Sequence, residues 1–154
     1  MRDIKFRAWD RKAKAMFPIH KLEWHKISND LTYLYGVDIH DPDSDHQGDV
    51  SYGGYAAKMT GQPLQPKFEI MQYTGLKDLN GREIYEGDII ESEEIGYTES
   101  GHFSGMKKVV GSVVFTSGRF AIHRSSGALP DLLMGLSYHK VIGNIYENPE
   151  LLER

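Results

Sequence analysis

The sequence contains no cysteine. That one absence removes thiol nucleophiles, disulfides, iron–sulfur clusters and thiolate zinc sites together. No apolar run approaches the ~18 residues of a membrane-spanning helix. The opening residues MRDIKFRAWD carry charge where a signal peptide needs an apolar stretch, so an intracellular protein without a membrane partner is expected. Several sequence signatures of catalysis are missing as well. There is no G-x-S-x-G elbow, no G-x-G-x-x-G or Walker phosphate loop, and no H-E-x-x-H spacing among the 7 histidines. The S-x-x-K pairs Ser104/Lys107 and Ser137/Lys140 stand without the companion motifs of the enzymes that use them.

What is present describes a globular chain of 154 residues, 40% hydrophobic and 26% charged, with a net charge of −4. A chain of that length buries roughly two-thirds of its unfolded surface and folds without covalent staples. The 16 glycines and 6 prolines fall between short apolar runs, where turns belong. Ile4, Phe6 and Ala8 alternate with Lys5, Arg7 and Trp9, which reads as a half-buried strand at the start of a β-hairpin that returns through Met16 to Trp24. Leu31 to Tyr35 is a third strand. From Asp38 to Pro66 the pattern dissolves into Asp, Gly and Pro, and a long loop or insertion is expected.

Regular structure resumes at Lys67. Phe68 to Tyr73 reads as a strand, Asn80-Gly81 as a type I′ turn, and Ile89-Ile90 as the start of another strand. Lys107 to Phe115 lacks alternation and reads as a strand covered on both faces, with Phe120 to Ile122 as its hairpin partner. Leu129, Leu132, Leu133 and Leu136 have helical spacing after Pro130, giving one short helix. Val141 to Tyr146 is the last strand, and Asn148-Pro149-Glu150 offers a cap, a first-position proline and a first-turn acid for a terminal helical turn. The expected fold is mainly β, a small β barrel or a β-rich α+β fold. The expected division is 1–66, a hairpin region with the loop at about 38–66, and 67–154, a second region of regular strands.

Asp41, Asp43, Asp45 and Asp49 occupy calcium-loop positions, but His46 replaces the turn glycine and Tyr52 the bidentate glutamate, so a solvated acidic loop is the reading. Asp78, Glu83, Glu86 and Asp88 include acids that could serve a metal-assisted hydrolase, with Asp78, Glu83 and Asp88 as its ligands. Asp78 and Asp88 also sit beside turn residues, where side-chain bonds to backbone explain them. No catalytic residue, metal site or cofactor is assigned, and the chain is read as not an enzyme. Residues 1–26 hold eight basic and three acidic residues, so this stretch carries +5 and the remainder −9. With Trp9 interleaved, Lys5, Arg7, Arg11, Lys12 and Lys14 form a candidate nucleic-acid contact. The opposing reading is an edge strand guarded by cations, whose unpaired side also permits a homo-oligomer.

Three stretches resemble the YopX family of phage and prophage proteins. They are Ile4-Lys5-Phe6-Arg7-Ala8-Trp9-Asp10, Met71 through Asp78 with Asn80 through Ile90, and Val141 through Leu152. The resemblance implies a phage or prophage origin, a cytoplasmic location in the bacterial host and a carboxy-terminal SH3-like β barrel. It implies no activity. Within these stretches Tyr73, Thr74, Asp78, Tyr85, Asp88, Asn144 and Tyr146 are candidate binding-surface residues, set against a structural role in tight turns at Gly75, Gly81, Gly87 and Gly143. The leading expectation is a non-enzymatic module that binds a protein or nucleic-acid partner.

Overall fold

The computed structural model describes residues 3–24, 26–27, 31–37, 49–53, 68–124, 131–132 and 138–153. The chain divides into two compact units, Lys5–Gln72 and Tyr73–Arg154 with Met1–Ile4. Every strand pairing among the described residues is antiparallel.

The first unit is built from β1 (Phe6–Asp10), β2 (Ala15–Trp24), β3 (Leu31–Val37), β4 (Asp49–Gly53) and the first half of β5 (Phe68–Lys77), in the order β4-β3-β2-β1-β5. The hairpin between β1 and β2 is closed by Asp10, whose Oδ1 accepts the amides of Lys12 at 2.7 Å and Ala13 at 2.9 Å. Lys14 completes the turn with a positive φ of 56°, its amide bonded to the Asp10 carbonyl. Ala8, Phe17, Leu34 and Phe68 form the core, with Ile19, Leu22 and Ile70 packed against them. The Phe17 and Phe68 rings meet edge to face at 5.2 Å, a geometry aromatic quadrupoles favour.

Two expectations change here. β1 is not an edge strand: it lies between β2 and β5, so its backbone groups are paired on both sides. Alternation alone cannot show this, because it reports which faces are covered and not which strands stand alongside. Residues 49–53 belong to β4, paired with β3 from Tyr33↔Gly53 to Val37↔Asp49, although they fall in the stretch expected as loop. A neighbouring strand rich in β-formers supplies the ladder that local composition does not promise. The rest of that stretch, with the acidic run at Asp41, Asp43 and Asp45, lies outside the described residues.

The second unit takes the remainder of β5 with β6 (Glu83–Tyr85), and a five-stranded sheet of β7 (Asp88–Tyr97), β8 (Phe103–Thr116), β9 (Arg119–His123), β10 (Asp131–Leu132) and β11 (His139–Asn144), ordered β10-β9-β8-β7-β11. Ile84, Ile90, Val113, Ile122 and Val141 are its core, joined by Leu76 and Phe120. Burial of each such side chain stabilises by about 1.5–3 kcal/mol. The outer strands β10 and β11 are not paired with each other, so no closed barrel forms among the described residues. Asp131 and Leu132, read from leucine spacing as helix, pair with Ile122 and Ala121 as a strand; the other residues of that expected helix lie outside the described set. The chain ends in a 3-10 turn, Pro149–Leu152, and no α-helix occurs among the described residues.

β8 is buried only in its middle, at Gly111, Ser112 and Val113, and exposed toward both ends. Turn geometry also differs from expectation. The type I′ arrangement falls at Ser117-Gly118, where φ is 51° and 75° between the paired residues Thr116 and Arg119. At Asn80-Gly81 only the glycine has a positive φ, 79°. There the Gly81 amide bonds to the Asp78 carbonyl and the Asp78 amide to the Arg82 carbonyl, a turn closed by a left-handed glycine. The same pattern returns between β7 and β8, with Gly101 bonded to Thr98 and Thr98 to His102.

Candidate functional site

Of the candidate residues of the second unit, Asp78 lies where the turn after β5 meets β11. Asp78, 8% exposed, directs both carboxylate oxygens at backbone amides. Its Oδ1 accepts from Asn80 at 2.8 Å and Arg82 at 2.9 Å, and its Oδ2 from Val141 at 3.0 Å. Burial pushes this carboxyl up, but the three amides outweigh it and hold it below the ordinary value of 3.8, with the Arg82 charge assisting. Beside it the Leu79 amide donates to the His139 carbonyl at 3.1 Å. His139 and Val141 are alternate residues of β11, an outer strand, so the turn covers the side of β11 that no strand pairs among the described residues. Val141 also stands at a register shift, Val141↔Ile90 followed by Gly143↔Ile89, where a bulge interrupts the ladder.

Asp88 is fully buried and accepts the Tyr85 amide at 2.8 Å through Oδ2. Gly87 between them has φ 77°, with its amide on the Val113 carbonyl and its carbonyl accepting Ile145. Thr74 donates to the Ile84 carbonyl at 2.8 Å and accepts the Leu76 amide at 3.1 Å. Tyr73 and Tyr85 are cross-strand partners with ring centroids 5.4 Å apart, and the Tyr85 hydroxyl donates to Glu83. Asn144 accepts the amides of Tyr146 at 3.0 Å and Glu147 at 2.9 Å. Asn148 does not cap its own helical turn; its side chain accepts the Asn144 amide at 3.4 Å. A Cβ on Gly143 would stand 2.5 Å from that Asn148 oxygen, so glycine there is a requirement of close approach.

Asp78, Glu83 and Asp88 thus have three separate tasks and do not converge. Among the described residues no group of three or more His, Cys, Asp or Glu could hold a metal ion. Sequence reasoning missed Ser92 and His139, both buried, with Oγ and Nδ1 2.7 Å apart. It also read Asn148 as a helix cap and missed its bond with the Asn144 amide. No local pattern marks either pair, because each is made by strands meeting across the sheet or by a turn folding back.

The basic candidates occupy the first unit. Trp9 is 5% exposed and is a packing residue with no face open for base stacking. Arg7 is half-buried, with Nη2 3.7 Å from the Met71 sulfur, and Arg11 pairs with Glu69. Lys5, Lys12 and Lys14 are exposed. Lys5 and the Lys12–Lys14 turn lie at opposite ends of β1, roughly 17 Å apart at the usual rise per residue. Among the described residues no helix is long and apolar enough to cross a membrane.

Comparison with known proteins agrees with this architecture. The sequence model of a family described as YopX protein matches residues 5–153. A crystal structure of protein EF1440 from Enterococcus faecalis is similar to this chain, with 27% identity, a TM-score of 0.57 and 99% of each chain covered. No curated protein matches.

Proposed function

The chain belongs to the YopX family, and from that membership we propose that it is a phage- or prophage-encoded accessory module that binds a protein partner in the bacterial cytoplasm and catalyses no reaction. One observation carries this reading. Asp78 and Asp88, two of the three acids a catalytic interpretation would need, and the motif residues Thr74 and Asn144 bond to backbone amides or carbonyls nearby. Such side chains shape a surface and have little capacity left for substrate. The edge of β11 covered by Asp78 and Leu79 supports reading the second unit as an SH3-like barrel, a scaffold whose loops leave binding grooves. A protein partner is favoured over nucleic acid because the exposed lysines are divided between the two ends of β1, Arg11 is paired, Trp9 is buried and the chain is net acidic.

The test is affinity capture of the full chain from bacterial lysate, with and without nuclease, beside turnover assays on phosphodiester and peptide substrates. A partner retained through nuclease treatment and absence of turnover are expected. Capture lost on nuclease treatment, with binding to single-stranded DNA that weakens steeply from 50 to 200 mM salt and on Lys12→Ala/Lys14→Ala, assigns a nucleic-acid partner instead. Turnover abolished by Asp78→Asn in a folded variant overturns the non-catalytic reading.

A further inference from the structure

β7 and β8 run beyond the rest of their sheet. β11 accompanies β7 only as far as Ser92, and β9 accompanies β8 only from Ser112 onward. From Glu93 to Lys108 the two strands have only each other as ladder partners among the described residues. A two-stranded ribbon in water is marginal by itself, and side chains tie this one together at its tip. Thr98 accepts the His102 amide and reaches Ser100 at 2.9 Å, and Ser100 reaches His102 at 3.1 Å.

One face of the ribbon is apolar. Side chains alternate along β7, and the register shift at Gly96/Tyr97 puts an extra residue of β8 between Met106 and Phe103, so Glu93, Ile95 and Tyr97 share a face with their cross-strand partners Lys108, Met106 and Phe103. Ile95 is 55% exposed, Tyr97 65%, Phe103 66% and Met106 54%. Four large side chains more than half exposed make a patch of roughly 400 Å², the size that marks an interaction site. At its base Glu93 stands exposed opposite Lys108, which Glu91 holds at 2.8 Å.

We propose that this face is the contact between two copies of the chain. The pattern is self-complementary. Laying one ribbon on another about a two-fold axis parallel to the strands puts β7 of one copy over β8 of the next. Glu93 then meets the second copy's Lys108, Ile95 meets Met106 and Tyr97 meets Phe103, each pair occurring twice. Acid faces base, and aromatic faces aromatic. The two patches together bury roughly 800–1,000 Å², below the standard size for a stable complex. A weak, reversible dimer is the consequence, because so small an interface leaves little surplus over the cost of association. This inference is independent of the binding reading above, since a self-contact on the ribbon requires no other macromolecule.

Sedimentation velocity of the full chain over a concentration series tests it. The native chain is expected to pass reversibly from monomer to dimer. Tyr97→Lys, at an exposed position that leaves the fold intact by circular dichroism, weakens association by tenfold or more. Glu93→Lys and Lys108→Glu each weaken self-association, because each variant opposes like charges. An equimolar mixture of those two variants restores the dimer, because every facing pair is then opposite in sign. A native chain that stays monomeric at about 1 mM overturns the proposal. So does a dimer indifferent to Tyr97→Lys, or a mixture no better than its components. Partition of a monomeric chain onto phosphatidylcholine–phosphatidylglycerol vesicles through Tyr97 assigns the face to a lipid surface and also overturns it.

Discussion

Asp78 Oδ2 lies 3.0 Å from the amide of Val141, a contact that joins positions 63 residues apart. The amide belongs to a bulged outer strand, and the carboxylate belongs to a turn that it also closes through Asn80 and Arg82. One side chain therefore sets a local turn and protects a sheet edge at once. Both tasks require an acceptor with two oxygens, which only a carboxylate offers at this length.

Replacing Asp78 with Asn keeps the size and removes one acceptor. The amide nitrogen that faces Val141 or the turn cannot accept, and a buried backbone N–H is left without a partner. A loss of about 1–3 kcal/mol in unfolding free energy is expected, measured by urea denaturation.

The acid limb of the stability profile follows from the same residue. Asp78 is held below its ordinary value of 3.8 in the folded chain. Its stabilisation is fully present above that ordinary value and is lost as pH falls through the lower folded value. Urea midpoints measured from about pH 5 down to about pH 2 are expected to fall, and Asp78→Asn is expected to make that fall shallower.

Gly143→Ala places a methyl 2.5 Å from the Asn148 Oδ1 and 3.0 Å from its Cβ. Crowding of this kind costs about 1–3 kcal/mol. Asn148→Ala in the same chain removes the obstructing oxygen, so the double variant is expected to lose less than the two single losses combined. Thermal unfolding of the four chains measures the coupling.

The two tryptophans report on the first unit. Trp9 is 5% exposed and Trp24 52%. Trp24→Phe leaves Trp9 as the only indole, and its emission is expected to be blue-shifted and poorly quenched by acrylamide. Trp9→Ala is expected to destabilise by about 3–5 kcal/mol. Ready quenching of Trp9 in the folded chain contradicts its burial.

Much of the strand pattern was legible in the sequence. Phe6, Ala8 and Phe17 alternate with polar residues, and the first hairpin forms where this pattern places it. The motif glycines mark real corners at Gly75, Gly81 and Gly87, each with a positive φ. Other features were hidden because they depend on neighbours distant in sequence. Trp9 shares its face with Lys5 and Arg7 by alternation, which reads as outward-facing, yet the indole is buried. The apolar face of the ribbon was within reach, since Glu91, Glu93, Ile95 and Tyr97 keep period two, but its exposure was not.

The sequence by itself determined the mainly β architecture, the membership in a family and the exclusion of thiol chemistry, because strand periodicity, turn residues and cysteine content are local properties of the chain. Tertiary structure alone decided that β1 is interior, that Asp78 serves the amide of Val141, and that the ends of β7 and β8 stand apart from their sheet. Each of these is a matter of which distant backbone group comes within hydrogen-bonding distance. That is settled only when the strands have found their order, and no local pattern of residues encodes it.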